Sequence, residues 1–362
     1  MTKLALGLMS GTSADGLTVC AITPSPFKII CFKNYKYPSQ LQQKLLSAYR
    51  LRADRLSQLN YELGALYAKT VRTFLKDFHL SPKDIYVIGS HGQTVYHGPK
   101  DAIANTLQIG EPSFLAAQLG VPVVSDFRAK DVALGGQGAP LMPFFDAYIW
   151  GKGRAKILLN IGGISNFSVV GKGTPSLGFD AGPGNTLMDL FCQMHLHKPF
   201  DKNGALAAKG TPDKKLVARL LTQKYFSQKP PKSLDKNDFG KNYLAKYFLN
   251  PPAKNSYDVL ATLTWFTAAA IAQQITKFVA AKDQREIVLS GGGSYNKTLV
   301  RFLQELLPHI QLKTSQDYHI DPQAKESAAF ALFAWLALHK KINHPARATG
   351  AQKPSVLGKI SL

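Results

Sequence analysis

The sequence predicts an α/β chain folded as two lobes, and three observations carry that prediction. Its 362 residues are about twice the roughly 100 to 200 that one domain usually holds. Short β-branched runs alternate with stretches of helical period along the whole chain. The opening pattern, a strand, a small-residue turn and a returning strand, recurs at Ile157, as a duplicated lobe would require. With 45% hydrophobic and 19% charged residues, the composition excludes disordered and fibrous classes.

Taken in order, Leu4 to Met9 is a strand, Ser10 to Gly16 a turn and Leu17 to Ile22 the returning strand, with a third at Lys28 to Phe32. Gln40 to Tyr49 and Leu56 to Phe78 carry apolar residues at helical spacing. Ile85 to Ser90 and Val121 to Val124 are the short β-branched runs that a parallel sheet buries. The second lobe opens with Ile157 to Asn160, a glycine turn and Asn166 to Val170. Prolines and lysines between Lys224 and Ala253 predict surface loop and short helix. Ser256 to Ala280 reads as a long amphipathic helix, and Ile287 to Ser290 as a strand feeding three glycines and a helix from about Tyr295 to Leu307. Asp321 is expected to cap a last helix through Leu338, with Pro322 in its first turn. The expected division is an N-terminal α/β lobe at 1–135, with the helix 321–341 and the tail packing back on it, and a second α/β lobe at 136–320.

Lys and Arg exceed Asp and Glu by 44 to 23, a net charge of +21, which invites a nucleic-acid reading. The lysines between Lys198 and Lys254 are interspersed with Asp201, Asp213, Asp235 and Asp238, and no recognised nucleic-acid motif accompanies them. A solvated basic surface that draws in anionic substrates accounts for the charge better, so no specific nucleic-acid partner is expected. Cys20, Cys31 and Cys192 are an odd, scattered set with no C-x-x-C pair, which fits a reducing compartment. Leu4 to Met9 is too short for a secretory core, and Ala328 to Leu338 falls short of the roughly 18 residues of a bilayer span. A cytoplasmic protein with no membrane partner is expected.

Four glycine-rich turns carry the chemistry. In Ser10-Gly-Thr-Ser-Ala-Asp-Gly16, Gly11 and Gly16 let backbone amides approach a ligand, Thr12 and Ser13 add hydroxyls, and Asp15 offers a carboxylate to a metal ion. No G-x-x-x-x-G-K-[ST] occurs, so this is not a Walker loop. Asn160-Ile-Gly-Gly-Ile-Ser-Asn166 and Gly178-Phe-Asp-Ala-Gly-Pro-Gly-Asn185 present further amides, the latter at a helix N-terminus suited to an anion. Asp180 beside that turn is a candidate general base. Ser290-Gly-Gly-Gly-Ser-Tyr-Asn296 is flat enough to lie along an adenine. Ser90-His91-Gly-Gln93-Thr94 reads as a strand-end loop, and Arg128 in Asp126-Phe-Arg128 as a two-pronged partner for carboxylate or phosphate.

Together, Gly7-Leu-Met-Ser-Gly-Thr-Ser-Ala-Asp-Gly16, Ser90-His-Gly-Gln-Thr94, Asp126-Phe-Arg128, Gly135-Gly-Gln-Gly-Ala-Pro-Leu141, Asn160-Ile-Gly-Gly-Ile-Ser-Asn166, Phe179-Asp-Ala-Gly-Pro-Gly-Asn185, Ser290-Gly-Gly-Gly and Ala324-Lys-Glu-Ser327 resemble the anhydro-N-acetylmuramic acid kinases. The likeness runs from Gly7 to Lys359. It implies the two-lobed sugar kinase, Hsp70 and actin-like fold, a duplicated ribonuclease H-like unit with ATP and magnesium in the interlobe cleft. It also implies a cytoplasmic place in peptidoglycan recycling and 1,6-anhydro-N-acetylmuramic acid as substrate, and it is compatible with a homodimer.

On that resemblance Asp180 is the catalytic base. Gly11, Thr12, Ser13, Ala14, Asp15, Gly16, Leu17, Thr18, Gly162, Gly163, Gly182, Gly184, Asn185, Gly291, Gly292 and Gly293 bind the nucleotide, and Asp15 holds magnesium directly or through water. His91, Gln93, Arg128 and Glu326 are expected at the sugar, Arg128 on its lactyl carboxylate. Two positions depart from the family's usual pattern: Thr18 stands where an Asp is expected, and Lys232-Ser-Leu-Asp235 stands where Lys-Ser-Thr-Gly is common. Two rival readings are a kinase of the same fold acting on an ordinary hexose or amino-sugar hydroxyl, and a catalytically weakened sensor of nucleotide or sugar.

Overall fold

The computed structural model describes residues 3–172, 177–230, 232–234, 238–249 and 255–362. The chain divides into two units, Met1–Phe145 with His319–Leu362, and Asp146–Tyr318. The division falls inside the helix Met142–Trp150 rather than at 135/136. Residues 134–138 stay with the first unit because Gln137 N donates to Thr349 O at 2.9 Å and Gln352 N to Leu134 O at 2.9 Å.

The first unit opens with a meander: β1 (Leu4–Ser10), β2 (Gly16–Pro24) and β3 (Phe27–Lys36), each antiparallel to the next. After the helix Ser39–Leu46 and the long helix Ala53–Asp77, β4 (Ile85–Gly98) returns parallel to β1. Next come β5 (Asn105–Ile109), antiparallel to β4, and β6 (Val123–Ser125), parallel to it. The C-terminal strand Lys359–Ser361 closes the edge against β6. Ser90–Thr94 is therefore not a strand-end loop but the middle of β4. The register slips between Leu8 and Ser10, Gly92 turns to φ 75°, and the strand leaves β1 to pair with β5.

The core side of this sheet is apolar because alternate residues of β1 and β2 point into it, Leu6, Leu8, Leu17 and Val19 all being buried against Tyr67, Val71 and Phe74. Each such leucine contributes about 1.5–3 kcal/mol. On the other face the helix Lys325–Leu338 lies against β1, β2 and β4. Its backbone comes so close that a Cβ on Gly7 would stand 1.7 Å from Ser327 O, and one on Gly89 2.1 Å from Phe330 O. That helix starts at Lys325, not at Asp321. Asp321 instead closes a preceding turn, accepting from Gln323 N at 2.8 Å through its side chain and from Ala324 N through its carbonyl.

The second unit repeats the plan. β7 (Lys156–Ile161), β8 (Ile164–Val170) and β9 (Leu177–Pro183) form the meander, and β10 (Glu286–Ser290) and β11 (Gln311–Thr314) add in parallel. The order β11-β10-β7-β8-β9 has the same connectivity as β6-β4-β1-β2-β3, so the recurrence read from the sequence is a recurrence of topology. Ser256–Phe278 is buried on nearly every side rather than amphipathic, and the hydroxyls of Thr262 and Thr264 are satisfied by the turn before, on Asp258 O and Leu260 O. Among the described residues it is the one helix long and apolar enough to cross a membrane. With 89% of its apolar window buried inside the protein, it is a core helix. Phe226, Phe239, Leu244 and Phe248 from the Lys-Pro-rich stretch join this core, so that stretch is not purely surface. The helix after β10 begins at Lys297, where Asn296 caps Leu299 N at 2.9 Å.

Candidate active site

In the first unit the β1–β2 turn is held from behind and open in front. Ala14 N donates to Gly11 O at 3.0 Å, and Ala14 itself takes φ 51°. Gln93 fixes the start of the turn: its Oε1 accepts from Ser10 Oγ at 2.5 Å and its Nε2 donates to Gly11 O at 3.1 Å. Tyr37 adds a hydroxyl bond to Ser10, and Gln42 Nε2 reaches Ser13 O and Asp15 Oδ1, the latter at 2.8 Å. Thr12, Ser13 and Asp15 are exposed, whereas Ala14, Gly16 and Leu17 are buried, so these last three have only backbone to offer a ligand. A Cβ on Gly11 would meet nothing closer than Ser13 Oγ at 3.9 Å, which leaves its Cα face open. Thr18 sits within β2 opposite Asn34 and accepts from Asn34 Nδ2 at 3.3 Å.

Of the expected sugar contacts, Gln93 is buried with both ends of its amide engaged on the turn, which makes it a positioning group for Gly11. His91 is buried too. It accepts from Arg128 Nε at 3.0 Å, and burial together with that guanidinium presses its pKa down to about 3. Arg128 also donates to Gly138 O at 2.7 Å. Its charge is sustained by Glu326 and Asp131, which partly offset the effect of burial. Glu326 lies exposed in the first turn of Lys325–Leu338.

In the second unit three glycine turns meet at Asn185. Asn185 N donates to Gly162 O at 2.7 Å and its Nδ2 to Ile161 O at 3.2 Å, while Gly184 N donates to Gly163 O at 2.9 Å. From the β10 side, a Cβ on Gly293 would lie 3.0 Å from Asn185 Oδ1. Gly184 is required by packing, because its Cβ would fall 2.2 Å from Gly162 O. Gly291 (φ 79°) is likewise pressed against Asn160 Oδ1 and Ile161 O. Gly162 and Gly292 are open, with nothing nearer than 3.6 Å. The ten-residue helix Thr186–His195 begins here, with Thr186 N donating to Gly163 O at 3.2 Å and the positive end of the helix dipole at the turns. Thr267 Oγ1 ties Gly184 O to the buried core helix at 3.0 Å.

Asp180 stands two residues before Gly182, on β9. Between Ser165 and Asn166 the β8–β9 register slips, so that Ala181 is a bulge that re-aims its neighbours. Gly182 O is held by Ser165 Oγ at 3.1 Å. The Asp180 carboxylate is half-buried and its pKa is raised by desolvation, offset in part by the Leu234 N–H, which donates to Oδ2 at 2.8 Å. Among the described residues Oδ1 takes no hydrogen bond. The strand is pinned by Asp180 N to Lys232 O and by Tyr225 OH to Asp180 O at 2.6 Å. Lys232 Nζ in turn rests on Gln274 Oε1 at 2.6 Å and over the Tyr225 ring, while Asp235 lies outside the described residues. Sequence reasoning did not single out Gln42, Tyr37, Tyr225 or Leu234 as parts of the site. A main-chain N–H leaves no sequence signal, and the other three are paired only by the fold.

One exposed carboxylate with one oxygen steadied by Gln42 suits a hard cation that keeps most of its water and draws other ligands from a nucleotide. Among the described residues no group of three or more His, Cys, Asp or Glu forms a self-sufficient metal cage.

The anhydro-N-acetylmuramic acid kinase family profile matches residues 3–362. Proteins named anhydro-N-acetylmuramic acid kinase are similar along the whole chain. The one from Caldanaerobacter subterraneus subsp. tengcongensis is 37% identical over 384 residues, covering 99% of this chain and 97% of its own. The one from Neisseria gonorrhoeae is 40% identical over 365 residues, covering 99% and 98%. The one from Actinobacillus pleuropneumoniae is 38% identical over 367 residues, covering 99% of each. Matched along this length, with its glycine turns and acidic groups in order, the chain belongs to the anhydro-N-acetylmuramic acid kinase family of phosphotransferases.

Proposed function

We propose that the protein, with ATP and one water molecule, opens the 1,6-anhydro ring of 1,6-anhydro-N-acetylmuramic acid and phosphorylates O6, giving N-acetylmuramic acid 6-phosphate and ADP. This serves the reuse of cell-wall sugar, and we place it in the cytoplasm. The observation that supports the reading most is the Asp180 carboxylate: one oxygen is fixed by the Leu234 N–H, the other takes no hydrogen bond among the described residues, and burial raises its basicity.

Asp180 takes one proton from the water as the water oxygen bonds to the anomeric carbon. The bond from that carbon to O6 breaks, and O6, carrying the released electron pair, attacks the γ-phosphorus as ADP leaves. Strain in the bicyclic sugar favours the first step. Gly11, Thr12 and Ser13 would grip phosphates, as would the open backbone at Gly162, while Gly184 and Asn185 hold the shape of that turn through their bonds to Gly163 O and Gly162 O. The turn Gly291 to Gly293, open at Gly292, would lie along the adenosine. Magnesium bound with the nucleotide would neutralise phosphate charge, and Asp15 would hold it, directly or through water. Arg128 would take the lactyl carboxylate, with Glu326 on a hydroxyl or the acetamide.

The test is incubation of the protein with ATP, magnesium and the anhydro sugar, followed by mass detection of the 6-phosphate, with Asp180→Asn alongside. Product from the wild type and almost none from the variant supports the reading. Equal product from both removes Asp180 from the role of base, and no product from the wild type overturns the function.

A further inference from the structure

The fully buried carboxylate of Asp131 has no part in the chemistry above, yet it is among the most heavily bonded groups in the first unit. Its Oδ1 accepts from His344 Nε2 and from Thr349 Oγ1 at 2.5 Å, and its Oδ2 accepts from Gly138 N at 2.5 Å. The loop between these partners wraps tightly around it, so that a Cβ on Gly136 would lie 2.4 Å from Oδ2. Gly136 N donates to Asp131 O, and Gln137 N to Thr349 O, each at 2.9 Å. Burying a carboxylate is costly unless donors surround it, and here they come from two segments more than 200 residues apart in sequence.

What this node holds is the Gly138 peptide. Gly138 N is bound to Asp131, and Gly138 O accepts from Arg128 Nη1 at 2.7 Å. Arg128 Nε is spent on His91. Two of the three guanidinium nitrogens are thereby fixed, while Nη2 takes no hydrogen bond among the described residues. A planar fork held in this way offers its remaining edge to a carboxylate in one orientation.

We propose that Asp131 is a positioning residue that sets Arg128, through the Gly138 peptide, for the carboxylate of the sugar. The inference rests on the reading of Arg128 given above. Kinetics of the full-length enzyme test it in a double-mutant cycle of Asp131→Asn with Arg128→Met. Asp131→Asn is expected to raise KM for the anhydro sugar about tenfold or more, with KM for ATP within about twofold and a smaller change in kcat. In the Arg128→Met background the same change should add less than about twofold, because its route of action is gone. Additive effects, or a parallel rise in KM for ATP, would overturn the proposal and leave Asp131 a fold-holding residue. Should Asp131→Asn fail to fold, Thr349→Val, which keeps the carboxylate, must give the same pattern at smaller amplitude. A readout independent of catalysis separates this proposal from the functional one. The side-chain Nε–H resonance of Arg128, identified by its loss in Arg128→Met, should shift and exchange faster with water in Asp131→Asn. An unmoved resonance refutes the positioning even in an active kinase. A moved resonance in a protein that makes no 6-phosphate refutes the function and upholds the link.

Discussion

Arg128 donates its Nε–H to Nε2 of His91 across 3.0 Å, while Nδ1 of the same ring lies 2.8 Å from Gly92 O. The two contacts together assign the proton to Nδ1, since Nε2 must offer a lone pair to the guanidinium. A second proton has no place, and burial beside a cation accounts for the ring's depressed pKa.

His91 therefore makes stability depend on pH. Its pKa falls from an ordinary 6.5 to about 3 on folding, so between those values the unfolded chain binds the extra proton and acid favours unfolding. The contribution is intact above pH 6.5 and is lost as pH falls toward 3, with a limiting slope of about 1.4 kcal/mol per pH unit. His91→Gln keeps an acceptor for Arg128 without the titration. Urea unfolding at pH 7 and pH 5 should show the wild type losing more stability on acidification than the variant, and equal losses would refute the assignment.

Asp180→Asn should lower kcat by about 10²- to 10⁴-fold with little change in KM for ATP. Because burial raises the carboxylate pKa, the acid limb of the wild-type kcat profile should lie at higher pH than a solvated aspartate would give, activity falling as Asp180 takes its proton. Steady-state rates from pH 4 to pH 8 check both statements. A residual Asn activity that keeps the same acid limb would point to another base.

The glycines at the convergence divide by what surrounds them. Gly184→Ala places a methyl 2.2 Å from a backbone oxygen and should cost about 1–3 kcal/mol of stability. Gly162→Ala meets nothing within 3.6 Å, so stability should hold within about 0.5 kcal/mol while KM for ATP rises. Denaturant midpoints and nucleotide titrations measure each. Equal destabilisation by the two substitutions would contradict the distinction.

Gln93→Leu removes two hydrogen bonds, to Ser10 Oγ and to Gly11 O, and leaves those atoms only Tyr37 OH and Ala14 N. A loss of about 1–3 kcal/mol is expected, together with a higher KM for ATP and a KM for the sugar close to wild type. A rise confined to the sugar would instead support Gln93 as a sugar contact.

The sequence made the strands legible wherever hydrophobic period and a small-residue turn coincided, as in Leu4–Ser10 and Lys156–Ile161. The glycine turns were visible because only glycine suits such close approach, and Asp180 because it adjoins one. Less legible was anything set by partners far along the chain. Ser10 and Gln93 are 83 residues apart and Asp131 and Thr349 are 218 apart, and neither pairing leaves a period or a motif. Ser90–Thr94 reads as a loop because its glycine and polar residues resemble one. In the fold Gly92 bends β4 from one partner strand to another. Asp321 looks like a helix cap followed by Pro322, but its carboxylate is already used on Gln323 N, and the helix begins four residues later.

The most direct measurement runs the reaction in water labelled with heavy oxygen, quenches it early, and locates the label by fragment mass, with unlabelled product in the same water as the exchange control. The account predicts N-acetylmuramic acid 6-phosphate carrying one solvent oxygen at the anomeric carbon and none in the phosphate ester. A phosphorylated sugar that keeps its anhydro ring or carries no solvent oxygen beyond the control would contradict it.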